Sequence, residues 1–268
     1  MVVFDPYDWK THEDPYPIYR RLRDEAPAYY NERRGFWALS RYADVLAGFR
    51  DVEGLSNAQG VAIDPVKVRA IRDVMSFLAL DPPRHDHLRN LVSRGFTPRR
   101  VRELEPQIRE LAVHHIDAFV ETGECDFIAE FAGKLPMDVV SEMVGVPPAD
   151  RDTLRTWADL VVHREEGKPE VPPEGIAASA KLLRYFAEHL ARRRRAPVDD
   201  LTGALIEAEI DGERLEDRDI IAFLFLMIIA GNETTTKLLG NALYWAWKHP
   251  DQRRSLRADP DVCAAWAE

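Results

Sequence analysis

An acid and a hydroxyl lie side by side within the most apolar stretch of the chain. Glu233 and Thr234 follow Ala230 and Gly231 in a proline-free segment, residues 216–249, that is otherwise largely apolar. A segment that is apolar on all sides is expected to form a buried helix, where a carboxylate is costly unless something uses it. One interpretation is proton transfer, in which Glu233 exchanges protons with solvent and Thr234 fixes a water molecule or a bound oxygen. The other is a core helix with a glycine at a crossing point and polar groups that face a neighbouring helix.

A histidine and an arginine form a second candidate site. His85, Arg89, Val92 and Phe96 recur at the spacing of one helix face, within a stretch, residues 84–102, that carries six arginines and a single acid. A histidine and an arginine on such a face could hold a buried anion such as a carboxylate. An exposed basic helix could instead dock an acidic partner. The simpler alternative is a basic face that only water contacts.

Four consecutive arginines, Arg192–Arg195, form the densest cluster of charge in the chain. Runs of this kind occur in segments that bind nucleic acid, and they also suit a helix C-terminus, where cations complement the helix dipole. The net charge of −10, from 36 basic and 46 acidic residues, argues against a general nucleic-acid binder. We therefore interpret the run as the end of a helix, and a helical DNA-binding regulator becomes the weakest alternative.

Composition indicates a soluble protein of the cytoplasm. The 268 residues suffice for one large domain or two small ones, and 46% are hydrophobic and 31% charged, as in ordinary globular proteins. The cysteines, Cys125 and Cys263, lie far apart without a ligand pattern, which implies neither a disulfide framework nor a zinc site. The N-terminus carries acids where a signal peptide would be basic and then apolar, and the apolar run 220–230 is too short to cross a bilayer. We expect no membrane partner.

Helices must position these residues, because the sequence predicts a mainly α protein with a small β element near its N-terminus. The best strand signal lies in residues 29–42, where Gly35–Leu39 is rich in aromatic residues and residues 31–34 are a plausible turn before it. Residues 51–78 are predicted as a long, partly helical loop, and such loops are often functional. Helical patterns follow at 17–25, 42–49, 82–96, 98–121, 135–146, 148–163, 172–195, 199–209, 216–249, 251–258 and 259–268.

These segments together resemble bacterial cytochrome P-450, the haem-thiolate monooxygenases. Residues 230–235, Ala-Gly-Asn-Glu-Thr-Thr, are similar to the motif of that family's central helix. Residues 81–98, which begin Asp-Pro-Pro-Arg-His and end Phe-Thr-Pro, resemble its C helix. The opening segments 14–23 and 35–45, and the turn at 210–215 before the long helix, are similar in the same order. The resemblance covers the whole chain and implies the cytochrome P-450 fold, with haem as the cofactor.

The resemblance also implies roles at the haem. His85 and Arg89 would bind the haem propionates, and Ala230, Gly231 and Thr234 would line the oxygen side of the haem. Glu233 and Thr234 would deliver the protons with which one atom of O2 leaves as water while the other enters the substrate.

The substrate and the electron donor are implied in the same way. Phe225 and Ile229, together with the loop 51–78, would shape a pocket for a hydrophobic small molecule. Basic residues of the stretch 84–102 would receive an acidic ferredoxin, which takes electrons from its reductase.

One part of the family pattern is missing. The haem iron of this family needs a cysteine thiolate near the C-terminus, and neither Cys125 nor Cys263 lies in a suitable glycine-rich loop. The Glu-x-x-Arg helix is missing too. We therefore expect residues 1–268 to form a single incomplete domain, the N-terminal portion of such an enzyme, inactive by itself. The competing hypothesis is a non-catalytic helical protein that binds an apolar small molecule.

Overall fold

The computed structural model describes residues 2–61, 63, 76–165, 168, 170–210 and 212–267. The described residues form a mainly helical protein with a β-hairpin near the N-terminus, as the sequence predicts, and with a second short hairpin that was not predicted. The helices are α1 (Trp9–Glu13), α2 (Tyr16–Glu25), α3 (Tyr42–Arg50), α4 (Arg84–Ser93), α5 (Pro98–Glu103), α6 (Glu105–Asp117), α7 (Leu135–Val144), α8 (Pro148–Val162), α9 (Pro173–Arg195), α10 (Leu201–Glu207), α11 (Asp217–Lys248), α12 (Pro250–Ala258) and α13 (Cys263–Ala267).

The predicted strand is the second half of an antiparallel hairpin near the N-terminus. Strand β1 (Ala28–Asn31) pairs with β2 (Phe36–Leu39), so that Ala28 lies opposite Leu39 and Asn31 opposite Phe36. The Asn31 side chain accepts a hydrogen bond of 2.9 Å from the backbone N–H of Arg34, and Gly35 adopts a φ of +68°. Glycine tolerates this left-handed conformation without steric cost, and the turn predicted at residues 31–34 is confirmed.

A second hairpin and two irregular helical turns connect the helices. Strands β3 (Glu209–Ile210) and β4 (Glu213–Arg214) pair directly before α11. A 3₁₀ turn at Ser76–Ala79 precedes α4, and a π-helical turn at Ile128–Ala132 precedes α7. Much of the loop predicted at 51–78 lies outside the described residues.

The core forms where α7, α8 and α9 pack around the first half of α11. Helix α9 lies against both α8 and α11, and α7 lies against α11. The side chains at the centre are fully or almost fully buried aliphatic and aromatic residues, such as Val144, Leu154, Leu182, Phe186, Ile220, Leu224 and Ile228. Burying an aliphatic side chain of this size contributes roughly 1.5–3 kcal/mol, so this layer holds α11 in place.

The predicted central helix is present, but it is not buried along its whole length. After Asn232 its large apolar side chains are about half exposed: Leu238 is 50% exposed, Tyr244 50% and Trp247 63%. The prediction of a helix buried on all sides was therefore wrong for its second half, because no layer of the described residues covers those side chains. Among the described helices, α11 alone is long and apolar enough to cross a membrane, a property that core helices of soluble proteins share.

Two other helix predictions need correction. The single helix expected at 98–121 is two helices, α5 and α6, with Leu104 between them. Pro106 lies in the first turn of α6, where its missing N–H costs nothing, whereas inside one continuous helix it would remove a hydrogen bond. The helix expected at 259–268 is a 3₁₀ turn, Pro260–Val262, followed by α13.

Candidate active site

The small residue and the threonine of the central motif lie on one face of α11. Ala230 and Thr234 are four residues apart, and both are exposed in the described chain. The Thr234 hydroxyl donates a hydrogen bond of 2.7 Å to the carbonyl oxygen of Ala230. This bond points the Thr234 oxygen along the helix surface and leaves its lone pairs available to an outside donor. We name this surface the Ala230–Thr234 face.

Glu233 lies at the edge of that face and is only partly buried. Its side chain is 33% exposed and forms an ion pair with Lys237, one turn further along α11. The expectation that Glu233 and Thr234 are buried inside an apolar rod is therefore wrong, because the polar motif falls where the core layer around α11 ends. The two residues are consecutive, so their side chains leave α11 about 100° apart, and the proton-transfer interpretation stays a prediction.

Gly231 faces the protein interior. A β-carbon at this position would lie 2.5 Å from Cγ2 of Val140 in α7, which is closer than two carbon atoms can approach. The structure therefore gives Gly231 the packing role that the crossing-point interpretation assigned to it. Its role beside a haem stays a prediction.

The motif's asparagine is the most buried polar group at the site, and sequence analysis missed it. Asn232 is 3% exposed, and its Nδ2 donates a hydrogen bond of 3.2 Å to Oδ1 of Asp159 in α8. Its Oδ1 is buried and has no hydrogen-bond partner among the described residues. Asp159 lies 73 residues earlier in the chain, so no local pattern indicated the contact.

Asp159 has a perturbed carboxyl group, although the residue remains accessible to solvent. Partial burial raises the pKa of Asp159 above its ordinary value, and the nearby charge of Glu233 also raises it. Arg155 and the hydrogen bond from Asn232 act in the opposite direction and lower the pKa. The second carboxylate next to Glu233 therefore favours a bound proton more than an ordinary aspartate does.

The second candidate pair lies on α4, and only part of the predicted helix face is as expected. Phe96 lies beyond the end of α4, and the buried residues of the helix are Leu88, Leu91 and Val92. The prediction of one face through residues 85, 89, 92 and 96 was therefore wrong beyond Val92, because the helix ends at Ser93. Of the four residues on which the spacing was read, Val92 alone belongs to the buried face of α4.

His85 is partly buried, and Arg89 is exposed. The His85 Nδ1 lies 2.8 Å from Oδ1 of Asp86. Its ring meets Phe77 edge-on at 5.9 Å, and Phe77 in turn stacks on Phe223 of α11 at 6.1 Å. Two aromatic contacts thus connect α4 with the central helix. Among the described residues, no carboxylate lies within ion-pair distance of Arg89.

In the basic stretch 84–102, three of the six arginines form ion pairs with described residues and three do not. Arg84 pairs with Asp219, Arg99 with Glu103 and Arg100 with Asp199. Arg94 and Arg102, like Arg89, are exposed and form no ion pair within the described part of the chain. Three cations therefore remain available on this segment.

The arginine run 192–195 ends α9, as the structural interpretation predicted. Arg193 pairs with Asp200 and donates a hydrogen bond to the Gly145 carbonyl oxygen. Arg194 pairs with Asp217 of α11, and the Arg192 guanidinium lies over the Tyr185 ring at 5.8 Å. Contacts within the protein therefore account for three of the four arginines.

The two residues predicted for the substrate pocket differ in burial. Phe225 is 7% exposed and belongs to the hydrophobic core, whereas Ile229 is partly buried at the edge of the core. Ile229 directly precedes the Ala230–Thr234 face. Both assignments to a pocket stay predictions. Cys125 and Cys263 are both exposed.

Comparison with known proteins matches this geometry to one family. A family model described as Cytochrome P450 matches residues 177–263. Putative cytochrome P450 123 of Mycobacterium tuberculosis is 59% identical over 268 residues, which are 100% of this chain and 67% of that relative.

Solved structures agree in fold over the same extent. The structure of cytochrome P450 CYP109Q5 from Chondromyces apiculatus has a TM-score of 0.88 and 34% identity, and the match covers 100% of this chain and 67% of that one. Mycobacterium marinum cytochrome P450 CYP268A2 in complex with pseudoionone has a TM-score of 0.83 and 34% identity, with 98% and 69% covered. The chain spans about two thirds of the length of these relatives, and it belongs to the cytochrome P450 family of haem-dependent monooxygenases.

Proposed function

We propose that the chain forms the oxygen-side part of an enzyme that inserts one atom of O2 into a hydrophobic small molecule. The observation that carries the proposal is the Ala230–Thr234 face with Glu233 at its edge. An acid and a hydroxyl are consecutive residues of a helix whose preceding turns are packed in the core, and the small side chain of Ala230 is exposed on the same face as Thr234.

Two groups of described residues would face a haem. An open cavity of about 630 Å³ lies beside His85, and its apolar lining includes Leu39, Phe49, Val52, Leu55 and Leu80. Arg89 lies one turn from His85 on α4 and has no carboxylate partner within the described residues, so it is available to a propionate. The exposed Ala230–Thr234 face would line the oxygen side of the haem. When bound, the haem would supply the iron chemistry by which O2 is reduced and its bond is cleaved.

The chain's own residues would manage protons. Glu233 is partly exposed and would exchange protons with water. The Thr234 oxygen is held by its bond to the Ala230 carbonyl and would accept a hydrogen bond from an incoming proton donor. His85 and Arg89 would orient the macrocycle, while Ile229 and Phe225 would bound the space for substrate.

The substrate class and partners follow from the family and from surface charge. We propose an apolar substrate, because a solved relative binds pseudoionone and the helix turns before Ala230 are apolar. The exposed arginines Arg89, Arg94 and Arg102 suit an acidic electron donor of the ferredoxin type, supplied by its reductase. We place the enzyme in the cytoplasm, because its acids outnumber its bases and half of α11 is packed in a helical core.

We also propose that residues 1–268 are inactive alone. The thiolate that the family uses would have to come from Cys125 or Cys263, and both are exposed, in the loop after α6 and at the start of α13. The reduced chain with carbon monoxide should therefore lack a thiolate-type Soret band, and observing that band would contradict this part of the proposal.

Complementation tests the function itself. Residues 1–268 would be co-expressed with a second chain, the C-terminal third of the 59% identical relative, and the purified pair examined by the reduced carbon-monoxide difference spectrum. We expect a thiolate-type band from the pair and from neither chain alone. If the pair forms but binds no haem, the non-catalytic hypothesis replaces the enzyme.

Variants of His85 and Arg89 test whether these residues bind the haem. The double variant His85→Ala and Arg89→Ala should lower haem occupancy of the pair. The matched control is Arg99→Ala, because Arg99 is an exposed arginine of the same basic stretch that pairs only with Glu103 on its own helix. Equal loss in both variants would show that charge on this segment matters in general and that His85 and Arg89 have no special role.

A further inference from the structure

Asp81 joins two parts of the chain that border the cavity beside His85. Its carboxylate accepts a hydrogen bond of 2.5 Å from the Ser56 hydroxyl and one of 2.8 Å from the backbone N–H of Asn57. Its backbone carbonyl oxygen accepts a hydrogen bond of 3.0 Å from the backbone N–H of His85, in the first turn of α4. A single residue therefore connects Ser56 and Asn57, which lie 25 and 24 residues earlier in the chain, with the helix that carries His85.

The segment directly before Ser56 forms a turn with its own hydrogen bonds. The Asp51 side chain accepts a hydrogen bond of 2.8 Å from the backbone N–H of Gly54. The Asp51 carbonyl oxygen accepts one of 3.1 Å from the backbone N–H of Leu55. Because these bonds lie within five residues, the turn 51–55 should move as one unit when its attachment to Asp81 changes.

This turn supplies part of the apolar wall of the cavity. The cavity, of about 630 Å³, is lined by Val52 and Leu55 from the turn, by His85 from α4 and by Asp81 itself. Both apolar side chains are more than half exposed, Val52 at 61% and Leu55 at 57%. Apolar packing therefore contributes little to the position of the turn, and the hydrogen bonds to Asp81 contribute more.

The His85 side of the cavity is held from the central helix. The Phe77 ring meets His85 edge-on at 5.9 Å and stacks on Phe223 of α11 at 6.1 Å. Ser76, directly before Phe77, adopts a φ of +53°. This left-handed conformation is strained for a residue with a side chain and persists only where the surrounding contacts hold it. The two aromatic contacts thus fix one wall of the cavity independently of the turn 51–55.

We propose that Asp81 is a positioning residue of this cavity, whose carboxylate sets the spacing between the apolar turn 51–55 and His85. The inference rests on the proposed function in one respect, because it takes haem as the group that the cavity receives. A carboxylate has lone pairs on both oxygens, so one oxygen binds the Ser56 hydroxyl and the other binds the Asn57 N–H. With both bonds formed, the apolar side chains of the turn remain in the cavity wall. Without them the turn moves away, and a bound haem dissociates faster.

Amide hydrogen exchange in residues 1–268 measures this attachment without any cofactor. We expect the Asn57 N–H to be protected from exchange and Asp81→Ala to remove that protection. The His85 N–H is the internal control, because it binds the Asp81 carbonyl oxygen, which an alanine retains. Asp81→Asn keeps an oxygen that can accept from Asn57 and should retain most of the protection. Asp44→Ala removes an exposed acid from the first turn of α3 and should change neither amide.

Two results of the exchange experiment would overturn the inference. One is equal exchange of the Asn57 N–H in the native chain and in Asp81→Ala. The other is faster exchange at both Asn57 and His85, because the substitution would then have loosened the start of α4 as a whole and Asp81 would have only a structural role.

The rate of haem release tests the consequence in the complemented pair of chains. Haem would be transferred to an excess of apomyoglobin and followed by absorbance. Asp81→Ala should release haem about 3- to 10-fold faster than the native pair, as expected for the loss of one or two exposed hydrogen bonds, and Asp44→Ala should release it at the native rate.

Failure of the inference and failure of the proposed function give different results. An unchanged rate of release from a haem-loaded Asp81→Ala pair would reject the role of Asp81 and leave the proposed function standing. If the pair binds no haem, the proposed function fails. Protection of the Asn57 N–H that Asp81→Ala removes would in that case still show that Asp81 sets the position of the turn.

Discussion

A β-carbon placed on Gly231 would lie 2.5 Å from Cγ2 of Val140. The contact brings α11 and α7 together at the turn where the polar motif begins. Gly231→Ala should therefore destabilise the fold, because the Val140 side chain must move within a packed layer. We expect a loss of about 1–3 kcal/mol in the free energy of unfolding, measured by urea denaturation.

Another glycine of the same helix provides the control. A β-carbon on Gly240 would lie 2.7 Å from Cδ1 of Ile128, the end of a side chain that is 49% exposed and can move. Gly240→Ala should be neutral, or stabilising by up to about 1 kcal/mol from helix propensity. Equal losses at both glycines would contradict the close approach at Gly231.

The last carbonyl of α7 has two buried side-chain donors. The Thr202 hydroxyl donates to the Val144 carbonyl oxygen at 2.8 Å, and His189 Nε2 lies 3.0 Å from the same oxygen. Thr202→Val keeps the shape and removes one of the two donors, so the free energy of unfolding should fall by about 0.5–1.5 kcal/mol. Thr202→Ser keeps the hydroxyl and should lose less. A valine variant as stable as the serine variant would mean that the bond contributes nothing.

His189 gives stability a dependence on pH. Burial of the ring lowers the pKa of His189 below its ordinary value, and the nearby Arg193 lowers it further. The folded chain therefore binds this proton less readily than the unfolded chain, and the stability that the neutral ring contributes is complete above about pH 6.5. It is lost as the pH falls below that value, by up to about 1.4 kcal/mol per pH unit. The free energy of unfolding, measured by urea denaturation at a series of pH values, should fall more steeply below about pH 6.5 in the native chain than in His189→Asn. Parallel curves of free energy against pH would contradict this account.

Arg193 should stabilise the fold more than its neighbours in the arginine run. Its guanidinium pairs with Asp200, whose side chain is 9% exposed, and binds the Gly145 carbonyl oxygen. Arg193→Gln should cost about 1.5–3 kcal/mol, because hydrogen bonds to a charged group are lost in a partly buried place. Arg195→Gln removes an exposed charge from the same turn and should change stability by less than about 0.5 kcal/mol.

The proposed proton transfer through Glu233 and Thr234 predicts unequal effects of the hydroxyls of Thr234 and Thr235. In the complemented pair of chains, Glu233→Gln and Thr234→Val should each slow product formation by about 10²-fold, a typical contribution of acid–base catalysis. Thr235→Val changes the next exposed threonine, which points about 100° away around the helix, and should have little effect. Product and O2 consumption would be measured together, and similar rates in the two valine variants would argue against a special role for Thr234.

Local signals were sufficient to predict most of the helices. Prolines at the starts of α8 and α9, the acids before Ile220 and the turn residues 31–34 act within a few residues of themselves, so the sequence alone indicated their effect. Pro106 was an equally local signal that should have divided the helix predicted at 98–121. The error there was one of interpretation, because the information was present in the sequence.

Long-range contacts were beyond such reasoning. Apolar side chains in 238–247 indicate that the helix favours burial, but they do not say whether a neighbour covers them. The Asn232–Asp159 contact depends on how α8 crosses α11, which no spacing within either helix specifies. For the same reason the sequence identified Glu233 and Thr234 and missed Asp159.

The half-exposed second part of α11 has an optical consequence. Trp245 is 46% exposed and Trp247 63% exposed, and both follow Tyr244 on that part of the helix. An indole ring emits at shorter wavelength when it moves from water into an apolar contact. Covering this part of α11 would therefore shift tryptophan fluorescence to shorter wavelength. Comparison with Trp245→Phe and Trp247→Phe would separate the contribution of these two indoles from that of the other tryptophans. Tryptophan fluorescence therefore detects when another surface covers this part of α11.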